Sequence, residues 1–525
     1  MLIIKSRRKR ALGLNEPLRH ESHKKPVTRR DFLAQGFTTG AATVIAPAAL
    51  SMLNPRRASA LSGTLDDVAR DDCGITDGSG KIPFICFDLA GGANIAGSNV
   101  LVGQKGGQLD FLSTQGYSKQ GLPGNMLPNN ATTNFIDTQF GLAFHTDSAF
   151  LRGMIEKTTE TTRARVNGAV IAARSENDTG NNPHNPMYGL AKYGVKGRLL
   201  TLIGSQNSES GGNSMAPAML VDPANRPTKI DRVSDVTGLV DTGGDGAKVL
   251  SDADTVRSLE TMYLLTERKL NHVTTGLPAA VDGETEQRFK CNYLKTAKTV
   301  ETFSNPAELN PSADDRITGL FGANYSNDGE FQKTASVMKL VIDGNAGAGT
   351  ISMGGFDYHT GDRAAGEERD LRAGRCIGAC LEYAMLKGMP LMIYVFSDGS
   401  VSSNGRVDDS AGGRGKGEWT GDNQQTAASF FLVYSPTGRP TLLEDGTPAA
   451  ARHQQLGYFS AGGDVVTISS PAANNVNLLV QTVLLNYMAL HGEQNLFNGL
   501  FGNSLGTGAA LDGQIAFNRI VTGPV

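Results

Sequence analysis

The sequence predicts an α/β protein built on a mostly parallel central sheet flanked by helices, and three observations predict it. Several short, β-branched apolar runs end in Gly, Ser or Asp: "IPFICFDLAGG" (82–92), "NGAVIAARS" (167–175), "RLLTLIGS" (198–205), "SVMKLVIDG" (336–344), "LMIYVFSDGS" (391–400) and "SFFLVYSP" (429–436). Their near-continuous apolar character marks strands covered on both faces. Helical patterns fall between them, and the resulting order of strand, loop, helix and strand is that of βαβ units.

Taken in order, the chain opens on a segment that does not belong to the fold. "VTRRDFLAQGFTTGAATVIAPAALSMLNPRRASA" places Arg29 and Arg30 before Asp31, Phe32 and Leu33, then a weakly apolar stretch and the small-residue tripeptide Ala58–Ala60. This is the order of a twin-arginine export signal over residues 1–60. It implies recognition by the twin-arginine translocase and a periplasmic or secreted product. The apolar stretch is short for a spanning helix and contains Pro47, so no stable membrane span is expected after cleavage.

Residues 61–525 are expected to form a single α/β domain with two elaborations. Residues 206–250, rich in Gly, Asn, Ser and Asp, read as a long loop. Residues 252–303 read as a helical insertion of two helices. Further on, "EERDLRAGRCIGACLEYAMLKG" has apolar residues close to a 3.6 period, acids at its start and Lys387–Gly388 at its end, which are helix start and stop signals. "NVNLLVQTVLLNYMALHG" (475–492) is the last helix pattern.

Charge excludes one class of partner. The formal net charge is −3, and residues 1–60 carry 12 Lys/Arg against 3 Asp/Glu, so the remainder stands at −12. Phosphate backbones require clustered cations, and a nucleic-acid partner is not expected. The five cysteines have no zinc-ribbon spacing. Cys376 and Cys380 lie one helical turn apart, on a face expected to be buried. Cys73 with Cys86 is a candidate disulfide in an oxidising compartment.

Ligands of parallel α/β sheets gather beyond the carboxyl ends of the strands. The polar residues there are Asp88; Glu176, Asp178 and His184; Asp357 and His359; and Ser397 with Asp398. Carboxylates with an imidazole suit a divalent cation such as Zn, Mn, Mg or Ca. The competing reading of Asp357 and His359 is the polar cap of the helix that follows. Arg414 and Lys416 in "GGRGKGE" offer cations to an anionic ester, or mark a flexible surface loop. No Gly-x-Ser-x-Gly elbow, P-loop or dinucleotide turn is present, so no nucleotide cofactor is expected.

"FDLAGGAN", "FHTDSAFLRGMIEKTT", "VNGAVIAARSENDTGNNPHNP", "GGFDYHTGD" and "VFSDGSVSSNG" follow one another as in the twin-arginine-exported, sulfatase-like proteins of unknown function placed in the alkaline phosphatase superfamily. The chain resembles that group over roughly residues 80–500. The resemblance implies an alkaline-phosphatase-like sheet whose strand ends bind divalent metal. Carried onto this sequence, the metal positions are Asp88, Asp357, His359 and Asp398, with Ser98 at the place of a nucleophile. His145 matches a recurrent histidine, but the helix start around it favours a structural role. Two departures stand out: Ala93 and Asn94 follow the first glycine pair where relatives have an acid, and "DDSAGGRGKGEWTGDN" lacks the histidine of an Asp-His-Gly triplet. Two functions are therefore expected to compete. One is a metal-dependent phosphate or sulfate ester hydrolase; the other is a noncatalytic relative that binds or assembles at the cell envelope.

Overall fold

The computed structural model describes residues 61–525 except 74–77, 129, 131, 176–181, 241–250, 271–278 and 303–305. The export signal read at residues 1–60 lies outside the described residues, as do Glu176, Asp178 and the end of the 206–250 loop. Among the described residues no helix is long and apolar enough to cross a membrane.

The chain divides into two compact units, one formed by residues up to Gly74 with Gly244–Ser304, the other by Ile75–Gly243 with Asn305–Val525. The strands of the larger unit's main sheet are β1 (Phe84–Leu89), β2 (Val166–Ile171), β3 (Leu200–Gly204), β4 (Thr228–Lys229), β5 (Ala346–Met353), β6 (Leu391–Phe396), β7 (Ser429–Tyr434) and β8 (Gln455–Leu456). The helices used below are α1 (Gly63–Asp71), α2 (Ala149–Lys157), α3 (Asp252–Leu270), α4 (Ala279–Thr302), α5 (Gly329–Ile342), α6 (Arg363–Lys387) and α7 (Val476–Leu490).

The sheet has eight strands in the order β8-β2-β7-β6-β1-β5-β3-β4. Strand β7 runs antiparallel to both its neighbours, and every other pairing is parallel. This is the α/β, mostly parallel, helix-flanked architecture that the sequence predicts, and it is consistent with an alkaline-phosphatase-like fold. Strands β1, β2, β5, β6 and β7 are buried along their whole length, which explains their unbroken apolar runs.

One predicted strand is a helix. "SVMKLVIDG" lies within α5, whose N-cap Asp328 accepts a hydrogen bond from the Glu330 N–H at 2.9 Å. Helix α5 is buried almost all round, and an apolar run of that length does not distinguish a buried helix from a buried strand. The strand comes next, as the glycine-rich "AGAGTISM" of β5. Gly349 admits the helix: a Cβ there would lie 2.6 Å from Val337 and 3.0 Å from Val341 of α5.

The smaller unit contains the predicted helical pair as α3 and α4, with α1 packed beside them. Among the described residues, Leu61, Leu65, Ala69, Val256, Tyr263, Leu294 and Ala297 are its buried hydrophobic side chains. Lys298 pairs with Asp66 at 3.1 Å, and a disulfide joins Cys73 to Cys291. That pairing replaces the Cys73–Cys86 bridge. Cys86 sits on the buried β1, with its Sγ 3.2 Å from Thr350 Oγ1, and remains a free thiol together with the buried Cys376 and Cys380.

Helix α6 carries the candidate site at its amino end, and glycines set its packing on α2. A Cβ at Gly374 would lie 2.3 Å from the Phe150 carbonyl oxygen, and one at Gly153 would lie 2.3 Å from that of Leu371. The two backbones therefore approach with no side chain between them. In a solvent-exposed helix Gly→Ala stabilises by about 1 kcal/mol. At this crossing the sign should reverse, with Gly374→Ala destabilising the protein by about 1–3 kcal/mol in denaturant unfolding. A variant as stable as the parent would show that the close crossing is not a constraint.

Candidate metal centre

Because β1, β5 and β6 run parallel side by side, their carboxyl-terminal loops emerge at one edge of the sheet. Asp88 lies level with Ser352 of β5 and Phe396 of β6. After β1 the chain turns through Gly91, whose φ is +129°, and a Cβ there would lie 2.6 Å from the Asp357 nitrogen. The Gly91 N–H donates to Asp398 Oδ1 at 2.8 Å, and the Ala93 N–H donates to Ser397 Oγ at 3.0 Å. Ser397 in turn donates to the Leu89 carbonyl at 2.7 Å. The three loops are thereby locked to one another.

Asp357 and His359 stand on the loop between β5 and α6, both facing outward. Their third partner is Asp422. His359 Nε2 lies 3.0 Å from Asp357 Oδ1, and Nδ1 lies 3.3 Å from Asp422 Oδ2. The three residues offer ligand atoms that all lie within 4.8 Å of one another, and among the described residues this is the one grouping of three or more such side chains. The side chains are 64%, 33% and 40% exposed for Asp357, His359 and Asp422, so a bound ion would keep positions open to water or substrate. Two carboxylates and one imidazole are ligand types that divalent cations accept.

The capping alternative is not what the loop does. Asp362 occupies the N-cap position of α6 without a side-chain hydrogen bond to the helix. Asp422 arrives on the short strand Gly421–Asp422, paired antiparallel with Val401–Ser402 just beyond β6. It falls inside "DDSAGGRGKGEWTGDN", the segment singled out for its missing histidine. The carboxylate in that segment, and not an imidazole, is what reaches His359.

Asp88 and Asp398 share the sheet edge but lie outside this group. Asp88 is fully buried, and both its oxygens are engaged by the long loop after β3. Oδ2 accepts from the Asn213 and Ser214 N–H groups at 2.7 and 2.8 Å, and Oδ1 accepts from Ser214 Oγ at 3.0 Å. A Cβ at Gly212 would meet Asp88 Oδ2 at 2.6 Å, so a glycine is needed for this approach. Burial pushes the Asp88 carboxyl up to about 7 against these hydrogen bonds, with the Asp398 charge acting in the same direction. Asp398 is also fully buried, held by Gly91.

Ser98 is enclosed. Its hydroxyl donates to Asn94 Oδ1 and accepts from Arg363 Nη2 at 3.1 Å, and no part of the residue reaches solvent. The cations of "GGRGKGE" are used internally too. Lys416 is buried on Glu367 Oε1 at 2.8 Å and the Asp147 carbonyl at 2.6 Å, while Arg414 grips the Asp147 carboxylate. The segment is neither a free surface loop nor an open anion site. His145 has the expected structural role: it stacks on Phe135, meets the Met126 carbonyl at 2.9 Å, and burial pushes its pKa down to about 4. His184, buried and stacked on Phe396, is likewise lowered to about 4.

The raised Asp88 carboxyl has a consequence for stability. Its folded pKa, about 7, lies above the ordinary 3.8, so between these values the folded protein holds a proton that the unfolded chain releases. This contribution is complete below pH 3.8 and is lost as pH rises through 7. The buried His145 and His184 slope the other way, so the comparison must be with Asp88→Asn. The melting temperature of wild type relative to Asp88→Asn should fall between pH 5 and pH 8. A difference that stays constant with pH would contradict the assignment.

No protein family, curated protein or solved structure matches this chain.

Proposed function

We propose that the protein is an exported, divalent-metal-dependent hydrolase of phosphate or sulfate esters, with the cation held by Asp357, His359 and Asp422. The observation that carries this reading is the convergence of two carboxylates and an imidazole, from two separate segments, at the carboxyl edge of a parallel sheet. A divalent cation there would polarise a phosphoryl or sulfuryl oxygen and lower the pKa of a bound water. The chain's own contribution is to hold the ligands on locked loops, facing water, with a net acidic body that needs the cation to attract an anionic ester. The leader at residues 1–60 supports delivery through the twin-arginine translocase to the periplasm or beyond.

A second reading, a noncatalytic protein that binds or assembles at the cell envelope, has its own support. Ser98, the one nucleophile that the resemblance suggests, is sealed against Arg363 and Asn94, and Arg414 and Lys416 are spent on internal carboxylates. The hydrolase reading therefore does not use Ser98 as a nucleophile.

Metal content and turnover of aryl phosphate and aryl sulfate esters separate the two. The purified protein should bind close to one divalent ion, and chelation should abolish hydrolysis. His359→Ala and Asp422→Ala should each weaken the metal by at least about 10-fold and reduce turnover in step, whereas Ser98→Ala should leave metal affinity unchanged. Metal bound without hydrolysis of either ester class would select the binding protein. No metal in wild type would overturn the site.

A further inference from the structure

Resting on the cation site just proposed, we infer that Tyr358 is its positioning residue, a buried side chain that fixes both ligands of the 354–362 loop and packs beside Trp419 of the segment carrying the third. Tyr358 lies between Asp357 and His359 and points the opposite way: it is 1% exposed, while its neighbours face solvent. Its hydroxyl donates to Asp370 Oδ1 at 2.9 Å and accepts from the Asn94 N–H at 2.8 Å. The first bond fixes the loop to α6. The second fixes it to the turn after β1, three residues beyond Gly91.

Both partners are themselves held. Asn99 Nδ2 donates to Asp370 Oδ2 at 2.7 Å and to the Asn94 carbonyl at 2.7 Å, closing a ring of buried polar groups around the phenol. The Tyr358 ring lies over Gly366, where a Cβ would come within 3.1 Å of it. Trp419 packs near the same ring, with ring centroids 6.5 Å apart. Trp419 accepts the Gly361 N–H on its carbonyl at 2.6 Å and carries the Arg363 guanidinium on its ring at 4.6 Å. Asp422 follows three residues later. Tyr358 thus sits where the loop bearing Asp357 and His359 meets the segment bearing Asp422.

The physical consequence is preorganisation. An exposed loop left to itself samples many backbone states, and ordering it on metal binding costs free energy for each residue fixed. A residue locked by two buried hydrogen bonds between the two ligands removes that cost in advance, as outer-shell partners of metal ligands do. Tyr358 touches neither the ion nor a substrate in this account, and acts only through its neighbours.

Mn²⁺ affinity, measured by titration of the full folded chain, tests this. Tyr358→Phe retains the ring and loses only the hydroxyl. The matched control is Tyr487→Phe, which removes a buried hydroxyl donated to the Ile82 carbonyl at 2.5 Å within the same unit. A merely structural role would lower the melting temperature in both variants and leave the affinity of the folded protein unchanged in both. The expected result is wild-type affinity in Tyr487→Phe and a loss of about 10-fold or more in Tyr358→Phe. Asp370→Asn, which mispairs the Tyr358–Asn99 bridge without changing its shape, should weaken Mn²⁺ in the same direction and serves if Tyr358→Phe does not fold. Wild-type affinity in the folded Tyr358 and Asp370 variants overturns the positioning role and leaves the cation site standing. Absence of saturable Mn²⁺ binding to wild type overturns both.

Discussion

At Gly91 three strand ends meet around one residue. Its N–H is donated to Asp398 beyond β6, its Cα side is pressed against the backbone of Asp357 beyond β5, and it is itself the turn out of β1. A positive φ and the lack of a Cβ are both required there, so no other residue type would let the loops close to this distance. The rest of the edge follows from that contact. With the first turn held under the Asp357 segment, Asn94 comes within reach of the Tyr358 hydroxyl, and the outward residues on either side of Tyr358 are directed to solvent. The side chains at the edge divide accordingly: Asp88 and Asp398 face inward and hold loops, while Asp357, His359 and Asp422 face outward, where an ion could reach them.

A largely buried ionic cluster explains why the segment 412–418 is not free. Glu367 on α6 receives Arg363 at 2.6 Å, Lys416 at 2.8 Å and Arg152 at 2.8 Å, and Asp147 receives Arg414 and Lys416. Burial alone would raise the Asp147 carboxyl, yet Arg414, Lys416 and Arg152 around it hold it down, to about 2. Replacing such a cluster with apolar residues can be neutral, but removing one partner leaves a buried charge uncompensated and costs about 3–5 kcal/mol. What the cluster supplies is connection: it links α2, α6 and the Gly-rich segment that leads to Trp419 and Asp422.

The division between what the sequence makes legible and what it hides is physical. Strands β1, β2, β3, β6 and β7, and helices α6 and α7, are legible because burial on both faces of a sheet, or a 3.6 period with a lysine and glycine at the end, leaves a local imprint. The helix α5 is misread as a strand because burial erases its period, and the strand β5 beside it is rich in glycine, with Gly349 making room for α5. At the site, Asp357 and His359 are legible from their place beyond the sheet. Asp422 is not, because it reaches His359 by a short strand pairing with Val401–Ser402 that leaves no pattern. The engagement of Asp88 by Asn213 and Ser214, and the bridge from Cys73 to Cys291 in place of Cys86, are contacts between distant segments that spacing does not encode. The leader at residues 1–60 remains a reading of the sequence.

The central claim is that the outward trio, and not the buried acid pair below it, receives the cation. Anomalous diffraction from crystals of the protein grown with Mn²⁺ tests this directly. The account predicts one strong peak within bonding distance of Asp357, His359 and Asp422, with Asp88 still bonded to Asn213 and Ser214. A peak between Asp88 and Asp398, or no ordered peak at either place, would contradict it.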